Sequence, residues 1–225
     1  ENFSFRMTDE EYRVLEKIKN SIPVCYLADH ADFALGIVTG NNKKFLSAEK
    51  TEHSEMVLKG TDICKYHINP VKQYLRFEPE QFQQVAPLEI YRAPEKLLYR
   101  FISNQLVVAY DDRQMLSLNS CNIVIPKIEG MQIKYILAIL NSSVSQFVYQ
   151  KEFHSIKVLR AHMEHIPIPR VGKAIQNEII AMTEPLICGM GKEAAETCQK
   201  RLDCRIMDLF RLSAEEQWII RHALH

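Results

Sequence analysis

The sequence predicts an α+β fold: a strand-rich domain with one helix at its N-terminus and a helical extension at its C-terminus. Two observations carry this prediction. Residues 22–130 break into short apolar runs rich in β-branched and aromatic residues, separated by turn-forming residues, as strands do. Residues 8–20, 130–153 and 173–223 instead place apolar residues at three- and four-residue spacing, as amphipathic helices do.

The elements follow in order. Thr8 is placed to cap the first helix, Glu11 completes a capping box, and Tyr12, Leu15, Ile18 and Ile22 form its apolar stripe. "IPVCYLADHADFALGIVTG" reads as short strands. "TGNN" then supplies Gly40 and Asn41, both tolerant of positive φ, so residues 33–46 read as strand, tight turn, strand. "HSEMVLKGTDICKYHI" adds an apolar run and a Gly-Thr-Asp turn. "VKQYLRFEP" alternates, with Val71, Gln73, Leu75 and Phe77 on one side and Lys72, Tyr74 and Arg76 on the other. That is a half-buried strand with a basic, aromatic outer face. Pro94 and Glu95 predict a helical turn running into Lys96, Leu97 and Leu98, and "LVVAYDD" and "NIVIP" read as buried strands. "GMQIKYILAILNSSVSQFVYQKEF" reads as one helix, apolar at Ile133, Ile136, Leu137, Leu140, Val144, Phe147 and Val148. Prolines hold "HIPIPRV" extended. Helices over residues 173–188 and 192–211 precede a last one capped by Ser213.

Composition narrows the function. With 47% apolar and 25% charged residues over 225 positions, the chain can bury a sizeable core as a soluble globular protein. It has no apolar run of about 18 residues or more, so no membrane span is predicted. The N-terminus is charged and lacks a signal-peptide core, and the absence of an initiator methionine predicts a segment of a longer protein. The six cysteines form no CxxC pair, and their mostly apolar flanks predict buried free thiols in a reducing cytoplasm. A net charge of zero excludes an all-round basic coat but not a local basic face. One stretch is locally basic: residues 151–173 carry Lys151, Lys157, Arg160, Arg170 and Lys173 against Glu152 and Glu164, with His154, His162 and His165 adding donors.

Catalytic motifs are missing. "GIVTGNNKKF" has the wrong glycine spacing for a phosphate-binding loop and precedes a strand signal rather than a helix. His162 and His165 could share a helix face, but no third metal ligand appears at a suitable spacing. There is no Gly-x-Ser-x-Gly elbow, and "INPV" lacks the second proline and aromatic of an adenine methyltransferase motif. The chain therefore reads as a binding module. Asn41, Asn42, Lys43, Lys44, Lys65, Tyr66, Lys72, Tyr74, Arg76, Arg113 and Gln114 gather at turns and strand faces. Such groups contact phosphates and base edges in duplex DNA. Composition alone describes an ordinary solvated surface equally well.

The order of motifs is more specific. "ALGIVTGNNKKFL" resembles the opening signature of TaqI-like C-terminal specificity domains, the target-recognition domains of type II restriction-modification enzymes and related adenine-specific DNA methyltransferases. Gly36, Ile37, Thr39, Gly40, Asn42 and Phe45 carry the match. "LKGTDICKY" is similar to the family's next step through Leu58, Gly60, Asp62, Ile63 and Tyr66, and "YLRFEP" to the strand after it. "PEKLLYR" follows through Pro94, Lys96, Leu97 and Arg100, then "YILAILNSSVSQFVY" through Tyr135, Leu137, Leu140, Asn141, Ser142 and Phe147. "HIPIPRV" resembles the closing extended segment. "RLDCRIMDLFRLSAEEQWII" resembles the tail of single-chain type IIG enzymes, with Phe210 and Arg211 replacing the usual Tyr and Gly.

The resemblance implies a DNA specificity domain over residues 1–172 and a helical extension over 173–225, packed on that domain or on a catalytic domain elsewhere in the protein. It implies duplex DNA and the parent's own methyltransferase domain, upstream of this chain, as partners. No cofactor is expected in this chain; S-adenosylmethionine is expected in the methyltransferase domain, and Mg if a nuclease domain exists. The residues expected to contact DNA are Asn42, Lys43, Lys44, Lys72, Tyr74, Arg76, Arg113, His154, Lys157 and Arg160. The alternative is a non-catalytic protein-interaction domain with a docking helical tail. A small-molecule enzyme would need convergent titratable groups around a pocket, of which the sequence carries no trace.

Overall fold

The computed structural model of the chain describes residues 7–153 and 155–224. Along it run α1 (Asp9–Asn20), β1 (Val24–Cys25), β2 (Ala31–Ala34), α2 (Asn42–Phe45), β3 (Leu46–Ser47), β4 (Ser54–Leu58), β5 (Tyr74–Arg76), α3 (Leu88–Tyr91), β6 (Lys96–Arg100) and β7 (Val108–Asp111). Then come β8 (Leu116–Ser117), β9 (Cys121–Pro126), α4 (Ile133–Asn141), α5 (Ser143–Phe153), α6 (Arg160–Glu164), β10 (Ile168–Pro169), α7 (Lys173–Ile187), α8 (Lys192–Leu209) and α9 (Ala214–Ala223). The class is α+β, as the sequence predicts.

The elements form three layers. An antiparallel sheet of order β2-β9-β6-β7 lies in the middle. Leu97, Tyr99, Val108, Tyr110 and Val124 point from one face into a core built with α1, α4, α5 and α7–α9. Leu98, Ala109, Cys121 and Ile123 alternate onto the other face. There they meet Val57, Leu58, Leu75 and Leu116 of a smaller sheet of order β3-β5-β4-β8. Burial on both faces explains why β6, β7 and β9 read as near-continuous apolar runs. A two-stranded ladder, β1 with β10, ties the start of the chain to the "IPIP" segment.

Two glycines join the sheets. Residues 118–120 connect β8 of the small sheet to β9 of the large one. A side chain on Gly36 would put its Cβ 2.1 Å from the Leu118 carbonyl oxygen, and one on Gly60 would put it 2.5 Å from that of Ser120. Both backbones therefore press directly on this turn, which no side chain permits. The contact is also bonded: Gly36 N–H donates to Asn122 Oδ1 at 3.1 Å, and Gly60 N–H to Ser120 Oγ at 3.0 Å.

The outer edge of the large sheet is closed by side-chain amides. The Asn141 Oδ1 accepts from Val108 N–H at 3.0 Å, and its Nδ2 donates to the Val108 carbonyl at 2.8 Å. One buried amide thus pairs the β7 backbone at Val108, beside the backbone bridge that Tyr66 makes to the same strand. Gln146 Oε1 likewise accepts from Leu106 N–H at 2.8 Å.

Several expectations change. Residues 33–46 are not a hairpin: β2 pairs with β9 and β3 with β5. Gly40 does have positive φ, at +74°, but Asn41 does not; its side chain instead caps α2, accepting from Lys44 N–H at 3.2 Å. Lys96, Leu97 and Leu98 are strand, because both faces of β6 are buried; the short helix lies earlier, at α3. The predicted single helix over 130–153 is two, broken at Ser142, which is extended with ψ 158°. There Ser142 Oγ bonds back to the Ile139 carbonyl at 2.7 Å, and Ser143 N–H turns to Asp203 at 2.9 Å. On α1 the Thr8–Glu11 capping box forms, but Val14 rather than Tyr12 is buried with Leu15 and Ile18. Cys25 and Cys121 are buried thiols, whereas Cys188 and Cys204 are exposed.

Gly36→Ala is expected to cost on the order of 3 kcal/mol, because a backbone carbonyl cannot step aside as a side chain can. Asn141→Ala is expected to cost about 1–3 kcal/mol by leaving the Val108 N–H unpaired in the interior, while the Val108 carbonyl keeps its bond from Tyr66 N–H at 2.7 Å. Denaturant unfolding of each variant measures these losses; wild-type midpoints would contradict the sheet joint and the edge closure respectively.

Candidate nucleic-acid interface

The small sheet presents one outward face. The Leu75 side chain points into the core, so Tyr74 and Arg76 point away from it. Their partners across the sheet are Ser47 and Met56 for Tyr74, and Ser54 for Arg76. Next to this face sits α2, whose Phe45 is buried and packs edge-on to Phe82, itself edge-on to Phe77. With its aromatic residue fixed, the helix holds Asn42, Lys43 and Lys44 in solvent.

A chain of polar contacts links the two elements. Lys44 Nζ donates to Gln81 Oε1 at 2.7 Å, Gln81 Nε2 donates to Glu78 Oε2 at 2.7 Å, and Arg76 pairs with Glu78 at 2.8 Å. Asn42, exposed, accepts at Oδ1 from Thr39 Oγ1 at 2.6 Å. Lys72 is exposed on the approach to β5. The structure thus brings Asn42, Lys43, Lys44, Tyr74 and Arg76 to one region, with Lys72 just before the strand.

Arg113 lies in the β7–β8 loop, which the buried Lys96–Asp111 pair shapes. Lys96 Nζ donates to Asp111 and to the Tyr91 carbonyl at 2.7 Å, and both charged side chains are fully buried. Asp111 also accepts from the N–H groups of Arg113 and Met115, each at 2.9 Å. Burial lowers the Lys96 pKa, and the Asp111 carboxylate opposes that shift. One satisfied ion pair thereby holds the backbone of the loop while the Arg113 side chain stays in solvent.

Lys157 and Arg160 belong to a second region, residues 155–164. Lys157 lies over the Phe101 ring, 6.0 Å from its centroid. Arg160 lies 5.1 Å over Phe33 and pairs with Glu164 at 2.7 Å, which raises its pKa further. It also borders a groove of about 620 Å³ between β2 and residues 84–90. The groove wall at Gln84 is bonded through its backbone to Val38 at 2.9 and 3.1 Å, four residues before Asn42. His162 stacks on Phe153 with ring centroids 4.5 Å apart, and burial lowers its pKa. Its Nδ1 accepts from Leu159 N–H at 3.2 Å, so it serves the start of α6. His154 lies outside the described residues.

Among the described residues, Lys43, Lys72, Arg113 and Lys157 form no ion pair, while Arg76 and Arg160 form exposed ones of the kind a phosphate can displace. Tyr66, expected on the surface, is buried, and Lys65 turns inward to the Asn141 carbonyl at 3.1 Å. The reason is local: Tyr66 has φ +75° and bridges β7, exchanging backbone bonds with Val108 and Tyr110. Gln81 and Gln84 were missed as site-forming residues; the run "EQFQQV" was their signal. The described residues contain no cluster of three His, Cys, Asp or Glu side chains able to hold a metal, and no helix long and apolar enough to cross a membrane.

No curated protein sequence matches the chain. Among solved structures, the type IIL restriction-modification enzyme MmeI in complex with DNA is similar over 87% of this chain and 35% of its own, with 11% identity and a TM-score of 0.57. The HsdS subunit from Thermoanaerobacter tengcongensis matches over 96% of this chain and 50% of its own, with 14% identity and a TM-score of 0.46. The type IIG restriction endonuclease BpuSI matches over 90% and 33%, with 11% identity and a TM-score of 0.47. The chain therefore spans between a third and half of the length of these proteins. The fold likeness rests on the first of them. The family description that matches is "TaqI-like C-terminal specificity domain", over residues 55–168, half of the chain. The glycine at the sheet joint (Gly60), the edge-closing Asn141 and the region carrying Lys72, Tyr74, Arg76, Arg113, Lys157 and Arg160 all fall within the match, and the chain belongs to the TaqI-like C-terminal specificity domain family.

Proposed function

We propose that this chain is the DNA target-recognition domain of a type II restriction-modification enzyme that methylates adenine, and that it binds duplex DNA for a catalytic domain elsewhere in the protein. The observation that carries this reading is family membership over the segment bearing seven of the ten expected contact residues. The surface supports it chemically. Lys43, Lys72, Arg113 and Lys157 would hold phosphates and set register, while Asn42, Tyr74 and Arg76 offer the groups that read base edges. Each good bidentate base contact contributes about 1–3 kcal/mol of discrimination. The catalytic domain would bind S-adenosylmethionine and take the target adenine out of the stack; a nuclease domain, if joined to it, would use Mg.

Residues 173–225 form the helical extension in this reading. Their buried faces share the core of the large sheet, and their outward faces, with Trp218 exposed on α9, would meet the catalytic domain.

Duplex binding by the full-length parent is expected to weaken linearly in log–log dependence on salt. Lys157→Ala with Arg160→Ala should weaken binding to all sequences and flatten that dependence by about one unit per lost phosphate contact. Asn42→Ala or Arg76→Ala should instead change which sequences are preferred. Fluorescence anisotropy across a salt series measures both. Salt-independent binding, or none by the full-length parent, would overturn the proposal in favour of a protein-docking module.

A further inference from the structure

Resting on the reading that a catalytic domain lies elsewhere in the same protein, we infer that the open edge of β2 binds an extended segment of that polypeptide, which joins the large sheet as a further strand. The two edges of this sheet differ. At β7, Tyr66 and Asn141 bond the strand's backbone. At the other end, β2 pairs only with β9. Lys127 N–H donates to the His30 carbonyl at 2.7 Å, which fixes the alternation along this ladder. Asp32 and Ala34 exchange bonds with Ile125 and Ile123, while Ala31 and Phe33 turn their N–H and C=O groups away. The residues opposite agree. Pro126, facing Ala31, has no N–H to give. Val124, facing Phe33, bonds Leu97 of β6 instead, in the alternation set by Phe101 N–H donating to the Ser120 carbonyl. Among the described residues, nothing else bonds the outward groups of Ala31 and Phe33.

This edge lines the groove of about 620 Å³ shared with residues 84–90 and Arg160. Phe33 points toward the large core and carries Arg160 over its ring; Ala34 points toward the smaller core, where Ala86 and Ile90 also pack. The groove therefore reaches both sides of the strand. Hydrogen bonding selects the occupant. N–H and C=O groups presented at strand spacing are complemented by another extended main chain, which a nucleic-acid backbone, with acceptors only, does not match. Charge points the same way. Arg160 is answered by Glu164 with Asp29 nearby, and Asp32 by Lys127, so the groove offers a phosphate no unpaired cation. An added residue opposite Phe33 would face the Arg160 side, and its neighbours would meet Ala34, Ala86 and Ile90. The segment thus carries apolar residues at alternate positions. Its source follows from the length of the edge. Two residues offer four backbone groups, too few to offset the cost of ordering a free peptide or a separate partner. A segment of the same polypeptide meets the edge at high effective concentration.

The test uses the full-length parent without DNA. Amide exchange resolved to single residues should find Ala31 and Phe33 as slow as Asp32 and Ala34, whose amides bond β9. Ala31→Pro removes one outward donor and no bond to β9, at a position where an edge strand tolerates proline. It should return Phe33 to fast exchange while Ile123 and Ile125 stay slow. A benzophenone photo-cross-linker in place of Gln84, exposed on the groove wall, should join the wall to one segment outside residues 1–225 of the same polypeptide. Ala31→Pro should abolish that cross-link. Fast exchange of Ala31 and Phe33 in the wild type would overturn the inference, as would a cross-link joining two copies or one retained in the variant. Any of these results in a parent that binds and methylates DNA would leave the proposed function standing. Slow exchange with the expected cross-link, in a parent that neither binds nor methylates DNA, would overturn the proposed function alone.

Discussion

The architecture depends on one close backbone contact: the turn at residues 118–120 pressed from both sides by Gly36 and Gly60. The turn is the only direct chain connection between β8 and β9, and hence between the small sheet and the large one at that point. The Gly36 segment leads from β2 toward α2, and Gly60 follows β4, so each glycine brings one layer's backbone against the same turn. A methyl group at either position would meet a carbonyl oxygen at 2.1 or 2.5 Å. The two sheets are therefore set by main-chain geometry, with little slack for side chains to absorb. That is the condition a recognition surface needs: α2 and the outward face of β5 are carried on a platform whose distance from the central sheet is fixed.

The interior repeats the same economy with polar groups. Asn141 closes the sheet edge at Val108, and Asp111 anchors the Arg113 loop while neutralising Lys96. Both are buried polar residues that bond the backbone, and Asp111 in this way places a surface loop. In contrast, the cations expected at DNA sit on the surface, unpaired or in exposed pairs. The separation is physical: groups that define shape are desolvated and satisfied, and groups available to a ligand remain hydrated.

Much of the fold was legible in the sequence. The capping boxes at Thr8 and Ser213, the β7 and β9 runs and the C-terminal helices follow from local rules, and the structure contains them. What failed did so through tertiary contacts. Asn41 has turn chemistry but caps a helix, because the flanking strands pair elsewhere. Lys96 looks like a surface lysine and is buried, because Asp111, fifteen residues on, answers it. Tyr66 looks like a surface aromatic and is buried, because its backbone bridges β7. Ser142 breaks a helix whose apolar spacing continues through it. For the site, periodicity gave the outward face of β5, but only the fold joins Lys44 to Arg76 through Gln81 and Glu78. Gly36 and Gly60 were identifiable as motif residues, while the reason for them, a shared turn more than fifty residues further along the chain, was not.

Hydrogen–deuterium exchange on the full-length parent, free and bound to a selected duplex, tests the central claim most directly, because it reports on the sheet platform and both cationic regions at once. The account predicts DNA-dependent protection over residues 41–45, 72–76, 111–115 and 155–160, with little change in α8 and α9. Protection confined to α8 and α9, with those four segments unchanged, would contradict it.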